Sequence, residues 1–232
     1  MKTQERIIEG RSQQKFKMKS TIIGLSGLAG AGKDLFFSIL SQKVNCKRFA
    51  LADELKRETK PILLENYGID PTTCSREEKE KIRDFLVFHG SFRRDETDGR
   101  YWIDKLTPSL KDHSGGYAVV TDVRYDEHPL DEVHWLKNEM KGVLVHISRF
   151  TEVPYANAPN IKQRAFIEPP NEKERINDPI LKEKSDYQFA WPTTLGHEKY
   201  VNTKLSKHVD KFLTWLEKDL EFRRYRDDLP NE

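Results

Sequence analysis

Seven consecutive residues carry the clearest chemical signal in the chain. Residues 27–33 read Gly-Leu-Ala-Gly-Ala-Gly-Lys, which is the G-x-x-x-x-G-K spacing of a Walker A phosphate loop. Glycines let backbone N–H groups turn inward around phosphate oxygens, and a helix beginning at Lys33 would direct its positive end at the same anion. The less specific alternative is a glycine-rich turn that only connects two elements. We expect an ATP site built from Gly27, Gly30, Ala31, Gly32, Lys33, Asp34 and Leu35.

The residue after the loop lysine departs from the usual pattern. A standard loop has Ser or Thr there to hold Mg²⁺, whereas this chain has Asp34. A carboxylate is also a hard oxygen ligand for Mg²⁺, and beside phosphates it is unfavourable unless a cation lies between them. We therefore predict Mg²⁺ as a cofactor and Asp34 as its candidate ligand, either directly or through water.

Charged residues follow two further apolar runs that have the composition of buried strands. Asp122 and Arg124 end the run 116–123, and Arg149 follows the run 142–147. Ligands of open α/β sheets bind beyond the carboxyl ends of the strands, and arginine binds phosphate bidentately. We predict Lys33, Asp122, Arg124 and Arg149 as catalytic residues. Asp122 has two functional interpretations, in the Mg²⁺ shell or on the substrate, and one structural interpretation, the capping of a turn.

The elements that must position these residues alternate along the chain. Residues 21–26 have strand composition, and apolar positions at helical spacing follow Lys33. Further strands are predicted near 47–50, 116–123, 142–147 and 187–191. Helices are predicted over 53–66, from the capping box Ser75-x-x-Glu78, and over 102–110, 130–140 and 204–224. This alternation predicts a three-layer α/β fold with a mostly parallel central sheet.

Two segments fall outside that rhythm. Residues 1–20 carry six Lys or Arg against two Glu, so we expect a flexible basic N-terminal arm ahead of a single domain over 21–232. Residues 151–184 hold five prolines among many charges and show no period, so we expect a lid or insertion. The cations that such a lid would bring over a donor nucleotide are Lys162, Arg164, Lys173 and Arg175.

Composition excludes several classes of protein. The chain has 232 residues, 36% of them hydrophobic and 34% charged, with a mean hydropathy of −0.77, which is too polar for a membrane protein. The arm carries a net charge of +4 and residues 21–232 carry −2, so nucleic acid is an unlikely partner for the domain. The two cysteines show no metal-type spacing, and we expect free thiols in a cytoplasmic protein.

Several separated motifs together resemble the phage-type deoxynucleoside monophosphate kinases. The order-preserving set covers residues 21–150: Gly32-Lys33-Asp34, the Ala-x-x-Leu-Lys element at 52–56, Gly90-Ser91 followed by Tyr101-Trp102-Ile103, Asp122-x-Arg124, and a strand ending at Arg149. Leu35 stands where the family often has Thr, and the acid after Arg124 lies one residue early, at Glu127.

The resemblance implies a P-loop kinase-like fold and transfer of the γ-phosphate of ATP to a deoxynucleoside monophosphate, with a homodimer as one candidate assembly. It also implies a set of substrate-binding residues: Asp53, Lys56, Arg83, Gly90, Ser91, Trp102, Asp122, Arg124 and Glu127. For several of these, a capping acid, a solvated side chain or a core tryptophan is the structural alternative. Two other functions stay open, namely another small-molecule P-loop kinase, such as a phosphomevalonate kinase-like enzyme, and a non-catalytic nucleotide-binding interaction protein.

Overall fold

The computed structural model describes residues 20–156, 158–194 and 198–227. The predicted arm therefore lies outside the described residues, apart from Ser20. The strands are β1 (Thr21–Ser26), β2 (Cys46–Phe49), β3 (Tyr117–Val120), β4 (Val143–Tyr155), β5 (Ala158–Phe166) and β6 (Tyr187–Pro192). The helices are α1 (Lys33–Ser41), α2 (Leu51–Tyr67), α3 (Arg76–Lys81), α4 (Arg83–Asp95), α5 (Tyr101–Asp112), α6 (Glu132–His134), α7 (Glu172–Lys184) and α8 (Glu198–Asp227).

Five parallel strands form the sheet in the order β2-β3-β1-β4-β6, and β5 adds an antiparallel hairpin to the far half of β4. Strand β1 lies in the middle, with Gly24 paired to Val120 of β3 on one side and to Leu144 of β4 on the other. Strands β2 and β3 lie on one side of β1, and β4 and β6 lie on the other, so the direction in which strands are added to the sheet reverses at β1. The carboxyl end of β1, where the glycine-rich loop begins, is therefore the expected position for a ligand.

Alternate residues of the central strands enter two separate cores. In β1, Ile22 joins the cluster that contains α5 and Leu181 of α7, whereas Ile23 and Leu25 join the cluster that contains α1 and α8. This division arises because successive side chains of a strand point to opposite faces of the sheet. Since helices cover both faces of the central strands, β1 and β3 are mostly apolar, and the predicted three-layer α/β fold with a mostly parallel sheet is confirmed.

The segment 151–184 has more regular structure than its sequence indicates. Strand β4 continues to Tyr155 and pairs with β5, and α7 begins after Asn171, whose side chain accepts a hydrogen bond from Glu174 N–H. The segment thus contains regular elements although its sequence shows no period, and its interpretation as a lid or insertion stays a prediction. The hairpin is exposed along most of its length, as at Tyr155 and Ile161, so neither of its faces has to be apolar.

Other differences concern the ends of elements. The helix predicted from Ser75 is two helices, because the backbone leaves the helical region at Ile82. The capping box itself is present. After one turn of α6, the predicted helix over 130–140 continues as a π-helical turn, Trp135–Glu139. Among the described residues, no helix combines the length and the apolar composition needed to cross a membrane.

Candidate functional site

The glycine-rich loop connects β1 to α1 in the predicted strand–loop–helix arrangement. Gly27 (φ 126°) and Gly32 (φ 96°) have backbone conformations that other residues rarely adopt. A Cβ at Gly27 would lie 2.2 Å from the Ile147 carbonyl oxygen, and a Cβ at Gly32 would lie 2.7 Å from the Trp191 ring. Both conformation and close approach therefore require glycine at the two fixed positions of the G-x-x-x-x-G-K pattern.

Trp191 packs against the glycine-rich loop. The indole is 1% exposed, and its Nε1 donates a hydrogen bond to the Ala31 carbonyl over 2.8 Å. The residue comes from β6, so 160 positions of sequence separate the two partners. The sequence places Trp191 in a strand but gives no indication of this contact, because it depends on how the sheet is assembled.

The ammonium group of Lys33 lies inside the loop. Its Nζ donates hydrogen bonds to the carbonyls of Gly27 (2.5 Å) and Leu28 (3.1 Å), and the residue is 8% exposed. Burial, with a further contribution from the Arg124 charge, lowers the pKa of Lys33 to about 8. A phosphate nearby would favour the charged form of Lys33, so an anionic ligand would stabilise this ammonium group.

A cleft of about 420 Å³ opens beside the loop. It lies between α2, α4 and the irregular segment after β3. Of the predicted site residues, the structure brings these nine to its walls: Lys33, Asp34, Lys56, Arg83, Gly90, Ser91, Trp102, Asp122 and Arg124. Leu35, Asp53, Glu127 and Arg149 are not among the lining residues.

The two acids predicted near the metal differ in exposure and in their hydrogen-bond partners. The Asp34 side chain is 89% exposed, and its nearest cation, Arg48, lies 4.0 Å away. Asp122 is buried, and its two oxygens accept hydrogen bonds from Leu51 N–H (2.9 Å) and Ala52 N–H (2.8 Å). Asp122 thus caps α2 across 70 residues of sequence, whereas the Asp34 carboxylate has no hydrogen bond among the described residues and stays exposed next to Lys33.

Arg124 reaches the loop through an acid on α7. The Glu174 carboxylate accepts a hydrogen bond from Ala29 N–H over 2.6 Å, and its other oxygen lies 3.3 Å from Arg124 Nη1. A carboxylate therefore occupies one of the backbone donors that a phosphate loop offers to an anion. Nothing in the sequence of 151–184 singles out Glu174 from the other charged residues there.

Ion pairs organise the α2 wall of the cleft. Asp53 pairs with Arg48 (2.6 Å) and with Lys56 (3.3 Å), both of which face the cleft. Burial opposes the ionised form of Asp53, but hydrogen bonds from Arg48 and Lys56 outweigh it and lower the pKa of this carboxyl group. Asp53 thus positions two cations, and Arg48 is a cleft residue that the sequence analysis did not select.

The α4 side of the cleft combines an exposed cation with fixed structure. Arg83 forms a two-point pair with Glu80 and is exposed. Trp102 is 5% exposed, and its Nε1 donates to the Gly90 carbonyl, so the indole is packed in the core behind the cleft wall. Lys173 Nζ of α7 donates a hydrogen bond to Ser91 Oγ over 3.0 Å, which links α7 to the α4 wall of the cleft.

Arg149 and Glu127 lie outside the cleft. Arg149 is on the other side of the loop, where its guanidinium donates to the Gly30 carbonyl (3.1 Å) and to Thr193 Oγ1 (3.1 Å). Glu127 accepts a hydrogen bond from Asn177 Nδ2 over 2.9 Å. The acid that contacts the backbone of Arg124 is instead Glu132, over 2.5 Å.

The other cations predicted for a lid are mostly engaged at the surface. Lys162 pairs with Glu152 over 3.5 Å, and Arg175 pairs with Glu172 on α7. The guanidinium of Arg164 lies over the Phe150 ring, 4.5 Å from its centroid. Lys173 is therefore the cation of this group that the structure brings to a cleft residue.

Comparison with known proteins finds similar solved structures, among them two shikimate kinases. No protein-family model matches the chain, and no curated protein sequence matches it. The shikimate kinase from Acinetobacter baumannii in complex with shikimate is 19% identical with a TM-score of 0.40, covering 83% of this chain and 94% of its own. The shikimate kinase from Aquifex aeolicus is 16% identical with a TM-score of 0.38, covering 86% and 98%.

Proposed function

We propose that this chain is an ATP-dependent kinase that phosphorylates deoxynucleoside monophosphates to diphosphates. The observation that carries the proposal is that Lys33 of a phosphate loop and Arg124 face one cleft of about 420 Å³. One polyphosphate on the loop and one phosphorylated acceptor in the cleft would then meet between these two cations.

The charge of the cleft favours a phosphorylated acceptor. Three acids line it, Asp34, Asp122 and Glu132, against a larger set of cations: Lys33, Arg48, Lys56, Lys79, Arg83, Arg94 and Arg124. Clefts lined by one sign of charge attract ligands of the opposite sign. The deoxynucleoside part of the acceptor rests on the sequence resemblance, and the phosphate part rests on this charge.

The transfer itself requires little covalent chemistry from the protein. Phosphoryl transfer is catalysed mainly by alignment and by neutralisation of charge on the transferred group. The Lys33 ammonium group would leave the loop carbonyls and bind phosphate oxygens instead. The Arg124 guanidinium would donate two hydrogen bonds to oxygens of the transferred phosphoryl group. Lys56 and Arg48, held by Asp53, would bind the acceptor phosphate.

The residues present fit a magnesium ion shared with the nucleotide. Among the described residues no group of three or more acidic, histidine or cysteine side chains forms a cage. Asp34 nevertheless offers an exposed carboxylate next to Lys33, and Mg²⁺ typically binds to one or two carboxylates together with substrate phosphates. When bound, the ion would neutralise charge on the phosphates.

The test is an ADP-release assay with Mg-ATP and a panel of acceptors. We expect release that depends on at least one of the four deoxynucleoside monophosphates. Phosphomevalonate, added as a separate acceptor, tests the other small-molecule kinase. No acceptor-dependent release with any deoxynucleotide would contradict the proposal, and tight nucleotide binding without turnover would favour a non-catalytic binding protein.

A loop variant identifies the donor site in the same assay. Lys33→Ala should abolish turnover and leave the circular dichroism spectrum unchanged, since within the described part of the chain its ammonium group donates hydrogen bonds only to loop carbonyls. Lys43→Ala is the matched control, because Lys43 pairs with Asp210 on α8 and does not line the cleft. Activity retained by K33A would mean that the loop is not the donor site.

A further inference from the structure

The backbone that carries Arg124 is held in place by side chains. Four consecutive residues after β3, Arg124 to Glu127, lie in irregular structure, and each N–H donates to a side-chain oxygen. Glu132 Oε2 accepts from Arg124 N (2.5 Å) and Tyr125 N (3.1 Å), Asn177 accepts from Asp126 N (3.2 Å), and Asp131 accepts from Glu127 N (3.0 Å). The path of this loop therefore depends on three side chains, of which Glu132 holds the two residues nearest the cleft.

Glu132 is itself fixed by a buried ion-pair network. Its Oε1 lies 3.2 Å from Arg94 Nη1, and Arg94 also forms a two-point pair with Asp131 over 3.1 and 2.8 Å. The three residues are at most 4% exposed. Burial, together with the neighbouring Asp131 charge, raises the pKa of Glu132 to about 8, although the Arg94 charge and the Arg124 N–H act in the opposite direction. Three donors, Arg94 Nη1 and the N–H groups of Arg124 and Tyr125, converge on this carboxyl group and fix its orientation.

Stability alone is a poor reason for such a network. Burying charges costs several kcal/mol per ion, and a buried ion pair often contributes no more than apolar residues of the same volume would. What the network provides is a fixed carboxylate at the base of the cleft. Arg94 additionally lies 3.9 Å from the centroid of the Tyr125 ring, so the residue after Arg124 is held by both its backbone and its side chain.

The exposure along this chain of contacts rises toward the cleft. Arg94 and Glu132 are buried, whereas the Arg124 side chain is 41% exposed. The guanidinium of Arg124 is thus a solvent-accessible group on a rigid support. A phosphate-binding arginine benefits from such support, since about 1 Å of misplacement can reduce a rate by about 100-fold.

We propose that Glu132 is a positioning residue for Arg124, and that Arg94 holds Glu132 in place for this purpose. The proposal rests on the proposed function in one respect, because it assigns Arg124 to the transferred phosphate. Glu132 acts through the backbone of residues 124 and 125. It is not a catalytic residue, since it reaches the reaction only through its neighbour.

The test is a double-mutant cycle in the ADP-release assay, with the best acceptor of the panel. Glu132→Gln keeps the volume but points an N–H₂ group at either Arg94 or the two amides. We expect kcat to fall about 10- to 100-fold with the KM for ATP changed less than about 3-fold. Adding E132Q to Arg124→Ala should then cost less than about 3-fold more, because the residue acts through Arg124.

A purely structural role predicts a different cycle. In that case the losses of E132Q and R124A multiply, or E132Q lowers the melting temperature and leaves kcat unchanged, and either result overturns the proposal. Glu139→Gln is the matched control, because Glu139 pairs with Arg100 outside the cleft. If E132Q does not fold, Glu132→Asp keeps the charge beside Arg94, withdraws the oxygens from the amides, and is judged by the same cycle.

Hydrogen exchange separates this proposal from the proposed function. The amides of Arg124 and Tyr125 should be protected in the wild type and exchange at least about 10-fold faster in E132Q, while those of β3 stay unchanged. This readout needs no turnover. Lack of activity with every acceptor would thus defeat the proposed function alone, whereas unprotected wild-type amides, or equal exchange in the two proteins, would overturn the role of Glu132.

Discussion

Removal of the Glu174 carboxylate should tighten the binding of ATP. Glu174 Oε2 accepts a hydrogen bond from Ala29 N–H over 2.6 Å, so it occupies a donor that the loop would offer to a phosphate. A nucleotide has to displace this carboxylate before it can use the same N–H group. The contact therefore acts as an internal competitor, and its free energy is subtracted from that of binding.

The structure sets the size of the effect. A hydrogen bond to a charged group contributes about 1.5–3 kcal/mol, and an ion pair like that with the half-exposed Arg124 adds about 0–1 kcal/mol. Glu174→Ala removes both contacts. The dissociation constant of a non-hydrolysable ATP analogue should fall about 10- to 1,000-fold, which corresponds to about 1.5–4 kcal/mol. Glu174→Gln keeps a neutral acceptor and should show a smaller gain.

Isothermal titration calorimetry without an acceptor, at pH 7 where Lys33 is mainly charged, measures this change directly. Glu172→Ala is the matched control, because Glu172 lies on the same helix but pairs with the exposed Arg175. Its affinity should equal that of the wild type. Unchanged or weaker binding by E174A would refute the reasoning and show that Glu174 does not compete with the nucleotide.

Two further predictions concern ionisation. The pKa of Lys33 is about 8 because of burial, and a bound polyphosphate raises it, so binding of the ATP analogue at pH 8.5 should take up between about half a proton and one proton. Titrations in two buffers of different ionisation enthalpy measure the uptake, and the same uptake by K33A would contradict the assignment. Burial opposes ionisation of Glu58, but hydrogen bonds from Lys105, Tyr101 and His89 prevail and lower its pKa to about 2. Since the folded value lies below the unfolded one, this stabilisation is complete above about pH 4.5 and is lost as the pH falls toward 2. Glu58→Gln should therefore lower the free energy of unfolding by about 1–3 kcal/mol at pH 7 and by less at pH 3 in urea titrations, and equal losses at both pH values would argue against it.

Local signals in the sequence were sufficient for the loop and much of the fold. The spacing of Gly27, Gly32 and Lys33 predicted the strand–loop–helix unit, because conformations with positive φ are open mainly to glycine. The capping box at Ser75 and Glu78 was predictable for the same kind of reason, since its two bonds join residues three positions apart. The apolar strands alternating with helices predicted the parallel sheet.

The segment 151–184 shows where such signals fail. Residues of the β4–β5 hairpin face solvent on both sides, so burial leaves no period in their sequence. Helix α7 is equally charged, with Ile176 exposed and Leu181 buried. A sequence pattern reports an element only when one of its faces must be apolar, and here that requirement is weak.

The sequence by itself determined the strand–loop–helix unit with the spacing of a phosphate loop, and which cations follow the strand ends. Tertiary structure decided which groups meet them. Glu174 contacts Ala29 across 145 residues, Trp191 supports Ala31 across 160, and Glu132 reaches Arg94 across 38. Backbone preference acts over a few residues, whereas these contacts depend on the path of the whole chain. The loop conformation thus depends on local backbone preference. The positions of Glu132 beside the Arg124 backbone and of Glu174 beside the loop depend on the tertiary structure.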